Sequence, residues 1–402
     1  MTKRNTPAPM SPGLIVLVLS MLLGLQPVTT DLYLPALPGL THELGAPIAQ
    51  AQLTLTALLL AFGISQLFWG PLSDRFGRRP ILLTGMTAYV LAALASAMAP
   101  SMEVLIFWRT LQGVAMGAAV MCARAIVRDL YTPAQGVGIM SKGQSGLGVV
   151  ACISAPVGGL LTAWFGWHSA LLALAVFGSL ALGLIGLRFQ ETLALKNPLA
   201  LQPSTLVRTW VQILRNPTFL AFTALSVSAY GGLFTYLVSS SFVFIGVLGF
   251  STTQYGLVML SMSLAYLLGT FVCRWLLRRY GLRRAVAIAG GLSLTAGTSM
   301  GLLTLAGMHS GWTIVAPFYL FIIGHGIHQP CSQTSAVGPF PKAAGTASAL
   351  NGFLMMLVAF GTGLWLGPRM DGTINALVWG VWFWSGCIAL SAWILVPRYA
   401  RA

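Results

Sequence analysis

The chain has 402 residues, of which 56% are hydrophobic and 7% charged, and its mean hydropathy is +0.82. A soluble domain carries roughly 25% charged residues, so this composition excludes a soluble enzyme, a disordered scaffold and a secreted disulfide protein and leaves a polytopic helical membrane protein. The net charge of +15 would point to nucleic acid in a soluble chain, but here the basic residues sit in short clusters between apolar runs, as cytoplasmic loops carry them. The lipid bilayer is therefore the expected surrounding, with no nucleic-acid partner.

A bilayer core of about 30 Å takes about 20 helical residues. Apolar runs of that size predict spans at 14–37, 51–72, 81–99, 102–126, 138–162 and 167–187, then at 218–246, 253–276, 285–307, 311–334, 344–367 and 374–396. Lys3 and Arg4 before the first run resemble the start of a signal peptide. No small-residue cleavage site follows closely and the same pattern repeats down the chain, so this run is read as the first span. The runs do not alternate, which argues against an outer-membrane barrel. Cys122, Cys152, Cys273, Cys331 and Cys387 all fall within apolar runs, lack metal spacing and read as small packing residues. Trp164, Trp167 and Trp312, near span ends, read as interfacial anchors.

The one long polar stretch, 188–217, holds Arg188, Glu191, Lys196, Arg208 and Arg215 with Pro198, Pro203 and Pro217. It divides the chain into an N-terminal six-helix half (1–187), a cytoplasmic linker (188–217) and a C-terminal six-helix half (218–402). The predicted fold class is an all-α membrane protein of twelve transmembrane helices in two pseudo-symmetric halves. With the N-terminus in the cytoplasm, 20 of the 22 Lys and Arg residues lie in inner loops or helix ends, with Arg109 inside a span and Arg369 outside. The positive-inside rule therefore puts both termini in the cytoplasm. The halves repeat weakly: Asp74-Arg75-Phe76-Gly77-Arg78-Arg79 links spans 2 and 3, and Arg278-Arg279-Tyr280-Gly281-Leu282-Arg283-Arg284 links spans 8 and 9. Duplicated halves are a design of secondary transporters.

No phosphate-binding loop, zinc-protease motif or nucleophile elbow is present, so neither ATP-driven pumping nor enzyme chemistry is expected, and no cofactor or metal is implied. Of seven acids, only Asp31 falls within a span. An intramembrane carboxylate is costly and reads first as functional; the plain alternative is a cap on the outer end of span 1. Arg109, about two helical turns into span 4, lies at similar depth, so the two are expected to meet, either as a proton-coupling pair or as a fixed tie between helices. The stretch Gly70 to Pro80 packs two glycines, Gly70 and Gly77, with Asp74, Arg75, Arg78 and Arg79 and reads as a gating loop, with a topology anchor as the alternative. Gly143, Gly146, Gly148, Gly158 and Gly159, with Pro156, give span 5 a tightly packed bend. His325 and His328 in span 10 lie three apart on one helical face and read either as a proton relay or as packing. Tyr230, Tyr236 and Ser239-Ser240-Ser241 in span 7 suit a cavity wall or a packed core equally.

The Gly70–Pro80 stretch resembles the signature loop of the major facilitator superfamily. Asp31-Leu32-Tyr33-Leu34-Pro35-Ala36-Leu37-Pro38 resembles the span 1 motif of its bicyclomycin/chloramphenicol resistance group of drug–proton antiporters. Arg109-Thr110-Leu111-Gln112-Gly113 resembles the span 4 motif, whose arginine is implicated in proton transfer. Gly146, Gly148 and Ala155-Pro156-Val157-Gly158-Gly159 resemble the span 5 antiporter motif, although Ala155 replaces a usual glycine and one residue rather than two precedes Gly158. The resemblance implies the major facilitator fold in a bacterial cytoplasmic (inner) membrane, with spans 1, 4, 7 and 10 lining a central cavity. It implies export of small amphiphilic drugs, chloramphenicol- or bicyclomycin-like, in exchange for protons. Asp31 and Arg109 would couple protons, and Asp31, Tyr33, Gln112, Tyr230, Tyr236, His325 and His328 would meet substrate. The expected partners are protons and a small-molecule drug, and the carrier is expected to act as a monomer. A proton-coupled carrier of a sugar or amino-acid derivative is the alternative.

The orientation is testable. A reporter active only outside the cytoplasm, fused after Pro203, should stay silent; strong activity there would invert the topology.

Overall fold

In a computed structural model, which describes residues 10–131, 133–193, 196, 202–340 and 343–399, the chain is helical nearly throughout, with no strand among the described residues. The first crossing is α1 (Pro12–Asp31), extended through a 3-10 turn (Leu34–Ala36) into α2 (Leu37–Glu43). Ser11 caps α1, its hydroxyl accepting from the Leu14 amide at 3.3 Å. Pro12 takes the first helical position, where no amide donor is needed. There follow α3 (Ile48–Phe76), α4 (Arg78–Ala97), α5 (Met102–Leu130), α6 (Pro133–Phe165), α7 (Trp167–Arg188), α8 (Pro203–Leu214) and α9 (Pro217–Ser241). The chain continues through α10 (Thr252–Leu305), α11 (Gly311–Val337), α12 (Ala344–Leu366), α13 (Asn375–Leu390) and α14 (Val396–Tyr399).

Among the described residues, ten stretches are long and apolar enough to cross a membrane. Thr252–Leu305 supplies two crossings, because the backbone turns at Gly281 with φ 74° and ψ 176°. α11, at 27 residues about 40 Å long, supplies the twelfth; His325, His328 and Gln329 make it less apolar than its neighbours. Gly77, between α3 and α4, has φ 110° and ψ 158°. It lies 204 positions before Gly281, so the repeat legible in the sequence is a repeat of backbone geometry. A positive-φ glycine turns one span into the next, a conformation that L side chains rarely adopt.

Three expectations are corrected. The Gly70–Pro80 stretch is not a loop: α3 runs on through Pro71 to Phe76, and only Gly77 separates it from α4. The Ser73 carbonyl accepts from the Gly77 amide at 3.0 Å, closing the last turn. The linker contains α8, whose Leu206, Trp210 and Ile213 fall at helical spacing and turn inward while Val207 and Val211 stay exposed. Trp164 and Trp312 are 70% and 75% exposed, as a membrane-interface belt requires, but Trp167 is buried and donates its indole N–H to Glu43 at 2.9 Å.

Within the N-terminal half, α1 packs against α5 and α6, and α4 against α5 and α7. The halves meet along α3 with α12 and along α6 with α10. Both seams depend on small residues. A Cβ on Gly63 of α3 would lie 2.6 Å from Met356 of α12. On α6, any side chain at Gly158 would strike the Leu32 carbonyl of α1, and a Cβ on Gly159 would lie 2.6 Å from the Thr252 carbonyl of α10. Helix α6 is thus wedged between its own half and the other, and Gly158 sets its distance from α1. Gly158→Val should cost about 1–3 kcal/mol through overpacking, read as a lower Tm in detergent. An unchanged Tm would mean the contact is looser than drawn.

Candidate functional site: a buried cation, a lone carboxylate and an ion network at the helix ends

Asp31 and Arg109 do not meet in this conformation. No ion pair joins them among the described residues, whose four salt bridges all lie near the ends of α3 and α5 and the start of α4. Helical geometry explains the miss. Thr29 and Tyr33 are four residues apart and share the face of α1 that meets α5, whereas Asp31, halfway between them, is about 200° round from Thr29.

Arg109 is fully buried. Its guanidinium donates to the Thr29 carbonyl at 3.0 Å and to Gln112 Oε1 at 2.7 Å, and it lies 4.4 Å from the Tyr33 ring centroid. The Tyr33 hydroxyl reaches Thr54 of α3 at 3.0 Å, and the Thr29 hydroxyl reaches that of Tyr89 on α4 at 2.7 Å. Charge-assisted hydrogen bonds at about 1.5–3 kcal/mol each and a desolvated cation–π contact of about 2 kcal/mol offset the cost of holding a charge in the membrane. Tyr33 and Gln112, expected at substrate, are both fully buried here as partners of Arg109.

Asp31 accepts from the Thr30 hydroxyl at 2.8 Å. Its electrostatic neighbours include Tyr230 of α9 and Tyr255 of α10, both from the other half, and Tyr230 also lies near Gln26 of α1. The sequence reading found Tyr230 but missed Tyr255, whose hydroxyl meets Ser240 at 2.8 Å. Tyr236 stacks on Phe318 with centroids 3.8 Å apart, inside the C-terminal half, and its hydroxyl is buried without a partner. His325 and His328 are both buried. They diverge: His325 approaches the backbone of Ala229 on α9 and lies 6.0 Å from the Tyr266 ring, while His328 approaches Ala289 on the second arm of α10. Neither ring nitrogen of His328 makes a well-formed hydrogen bond.

Beside the Gly77 turn, Arg78 pairs with Asp74 at 2.6 Å and with Asp129 of α5 at 2.8 Å, and donates to Ser73 at 2.6 Å. Arg128 adds a 3.4 Å contact to Asp74. Arg79 reaches the Gly186 carbonyl of α7 at 2.9 Å, while Arg75 lies over the Phe76 ring at 5.5 Å. Glu191, which the sequence reading placed in the linker without a role, accepts from the Arg78 amide at 2.9 Å and the Arg79 amide at 3.1 Å. It thereby caps α4 with a full negative charge at the positive end of the helix dipole. A Cβ on Gly77 would lie 2.5 Å from the same carboxylate, a second reason for glycine there. On α6, Gly148 faces Leu267 of α10, and Pro156 lies beside Gly256 of α10.

Twelve crossings in two pseudo-symmetric halves, with glycine-lined seams between them and a polar interior, define a multi-pass membrane transporter. The chain belongs to the Major Facilitator Superfamily, whose family model matches residues 19–364. It is 31% identical to an uncharacterized MFS-type transporter, YdgK, of Bacillus subtilis, over 86% of each chain. It is 29% identical to multidrug resistance protein D of Escherichia coli over 85% of each chain. A bicyclomycin resistance protein homolog of Haemophilus influenzae is 27% identical over 86% of each. Among solved structures, a D-xylose–proton symporter superposes with a TM-score of 0.74 over 95% of this chain and 97% of its own, at 15% identity, which bears on fold alone.

Glu191→Ala removes the α4 cap and should cost about 1–2 kcal/mol, lowering Tm, while Glu191→Gln keeps an acceptor and should cost less. Equal Tm values for the parent and Glu191→Ala would show that the cap contributes nothing.

Proposed function

We propose that this transporter exports small amphiphilic drugs across the bacterial cytoplasmic membrane in exchange for protons, with both termini in the cytoplasm. The observation that carries the reading is Asp31: the one carboxylate within a span, unpaired with Arg109 and set against Tyr230 and Tyr255 of the opposite half. The resistance names carried by relatives that match most of the chain support a drug as the cargo.

The chemistry follows from cost. A charged carboxylate facing hydrocarbon resists closure of the halves over it. Proton binding removes the charge and permits closure; drug binding in the same space favours the charged form. Drug and proton then exclude each other, which is the requirement for antiport. Arg109 acts through α1: by holding the Thr29 carbonyl and the Tyr33 ring it fixes the rotation of the helix, and so the face that Asp31 presents. Tyr230 and His325 complete the wall on the far side.

The cytoplasmic network of Asp74, Arg78, Asp129 and Glu191 serves as a latch whose ion pairs stabilise one arrangement of the helix ends and so bias the equilibrium between conformations. In proteoliposomes with an imposed proton gradient, the parent should accumulate chloramphenicol and Asp31→Asn should not, although its drug binding survives. Gradient-driven accumulation by Asp31→Asn would overturn the assignment of Asp31.

A further inference from the structure

Arg124 has no place in the coupling scheme above, and the sequence reading counted it among the helix-end cations of the cytoplasmic loops. It lies on α5 six residues before the helix ends at Leu130, about 9 Å inward along the axis and one turn above Arg128. Its Nη1 donates at 2.8 Å to the hydroxyl of Ser348 on α12, a helix of the opposite half. That is its one hydrogen bond among the described residues, and no carboxylate there lies within ion-pair distance of it.

The acids nearby are all committed. Asp74 is held by Arg78 and Arg128, Asp129 by Arg78, and Glu191 by the amides that open α4. The contact with Ser348 crosses the seam, as does the approach of Arg128 to within 3.7 Å of a Cβ built on Gly345. When the halves part on the cytoplasmic side, the Arg124–Ser348 bond has to break, and the guanidinium then lines the crevice through which cytoplasmic molecules reach the interior. Asn351 of α12, one turn beyond Ser348, has a buried amide oxygen without a partner, so the same stretch of seam offers hydrogen bonds but no negative charge.

We propose that Arg124 is the charge filter of the cytoplasmic entrance, and that the substrates of this carrier are therefore neutral or anionic amphiphiles, with lipophilic cations excluded. The inference rests on the export reading above and narrows its substrate class. An uncompensated guanidinium within about 10 Å of a passing monocation lowers the cation's occupancy about tenfold at an effective dielectric near 20. The filter acts at uptake: the 15 positions separating Arg124 from Arg109 on α5 correspond to about 22 Å, so a small drug at the level of Asp31 no longer touches it. Such a residue is a specificity determinant, and changing it alters which molecules enter while the coupling carboxylate stays in place.

The test uses the full-length protein and two probes of opposite character, tetraphenylphosphonium and chloramphenicol. The rate at which each associates with purified parent, Arg124→Gln and Arg124→Lys is measured in detergent, and the initial rate of proton-driven uptake of each in proteoliposomes. The parent should associate with tetraphenylphosphonium about tenfold more slowly than Arg124→Gln does. Arg124→Lys, which restores the charge, should return to the parent value, and chloramphenicol should associate at the same rate with all three. A structural role for Arg124 would instead slow both probes together and would not be rescued by charge alone. Parent association with tetraphenylphosphonium as fast as that of Arg124→Gln, or equal behaviour of Arg124→Lys and Arg124→Gln, overturns the filter. Failure of the parent to transport chloramphenicol overturns the export reading and leaves the association rates to decide the filter.

Discussion

Holding a charge in hydrocarbon costs several kcal/mol unless it is partnered, and the arrangement of this transporter follows from how few such charges it keeps and what each one faces. Arg109 is buried in the N-terminal half and held there by a carbonyl, an amide oxygen and an aromatic face. Asp31, two residues from Thr29, lies on the other side of α1. The same helix therefore carries a fixed cation contact on one face and, on the other, a carboxylate set against the opposite half. Neither residue alone defines the site; the rotation of α1 between α5 and α6 does, and Gly158 sets how closely α6 approaches that helix.

The second constraint is close approach. The halves touch along seams where glycines of α3 and α6 meet α12 and α10. Small residues leave backbones in contact without interlocking side chains, which suits surfaces that part and rejoin. The ionic contacts around Gly77 lie mainly within one half: Arg78 binds Asp74 and Asp129, and Glu191 binds the start of α4. They make α3, α4, α5 and the start of the linker one unit. Across the seam, near this network, the described residues form the Arg124–Ser348 bond, a neutral acceptor opposite a cation, which is weaker than an ion pair and easily exchanged for water.

Much of the fold was legible because membrane spans are a matter of length and apolarity. Every expected span has its helix, with ends shifted by a few residues, and the Gly77/Gly281 repeat was visible as two basic clusters around a glycine. The linker helix α8 was not read, because its polar residues and prolines outweighed the Leu206/Trp210/Ile213 spacing that forms it. The site was less legible. Depth along a helix can be counted, which is why Asp31 and Arg109 were paired; azimuth needs the 100° step per residue to be applied to the neighbours as well. Thr29 and Tyr33 carried that signal. Arg124 was counted with the helix-end cations although it falls within the expected span 102–126, and Glu191 had no local pattern, since its partners are more than a hundred residues away in the chain. Trp167, read as an interfacial anchor, is instead buried against a long-range partner, Glu43.

The central claim is that a drug and a proton compete for Asp31. It is tested most directly by adding chloramphenicol to purified protein in weakly buffered detergent at a pH where the parent is protonated and recording the pH. The account predicts a release of protons that saturates with the drug and disappears in Asp31→Asn, while drug binding itself persists. Drug binding by the parent without proton release, or undiminished release from Asp31→Asn, would contradict it.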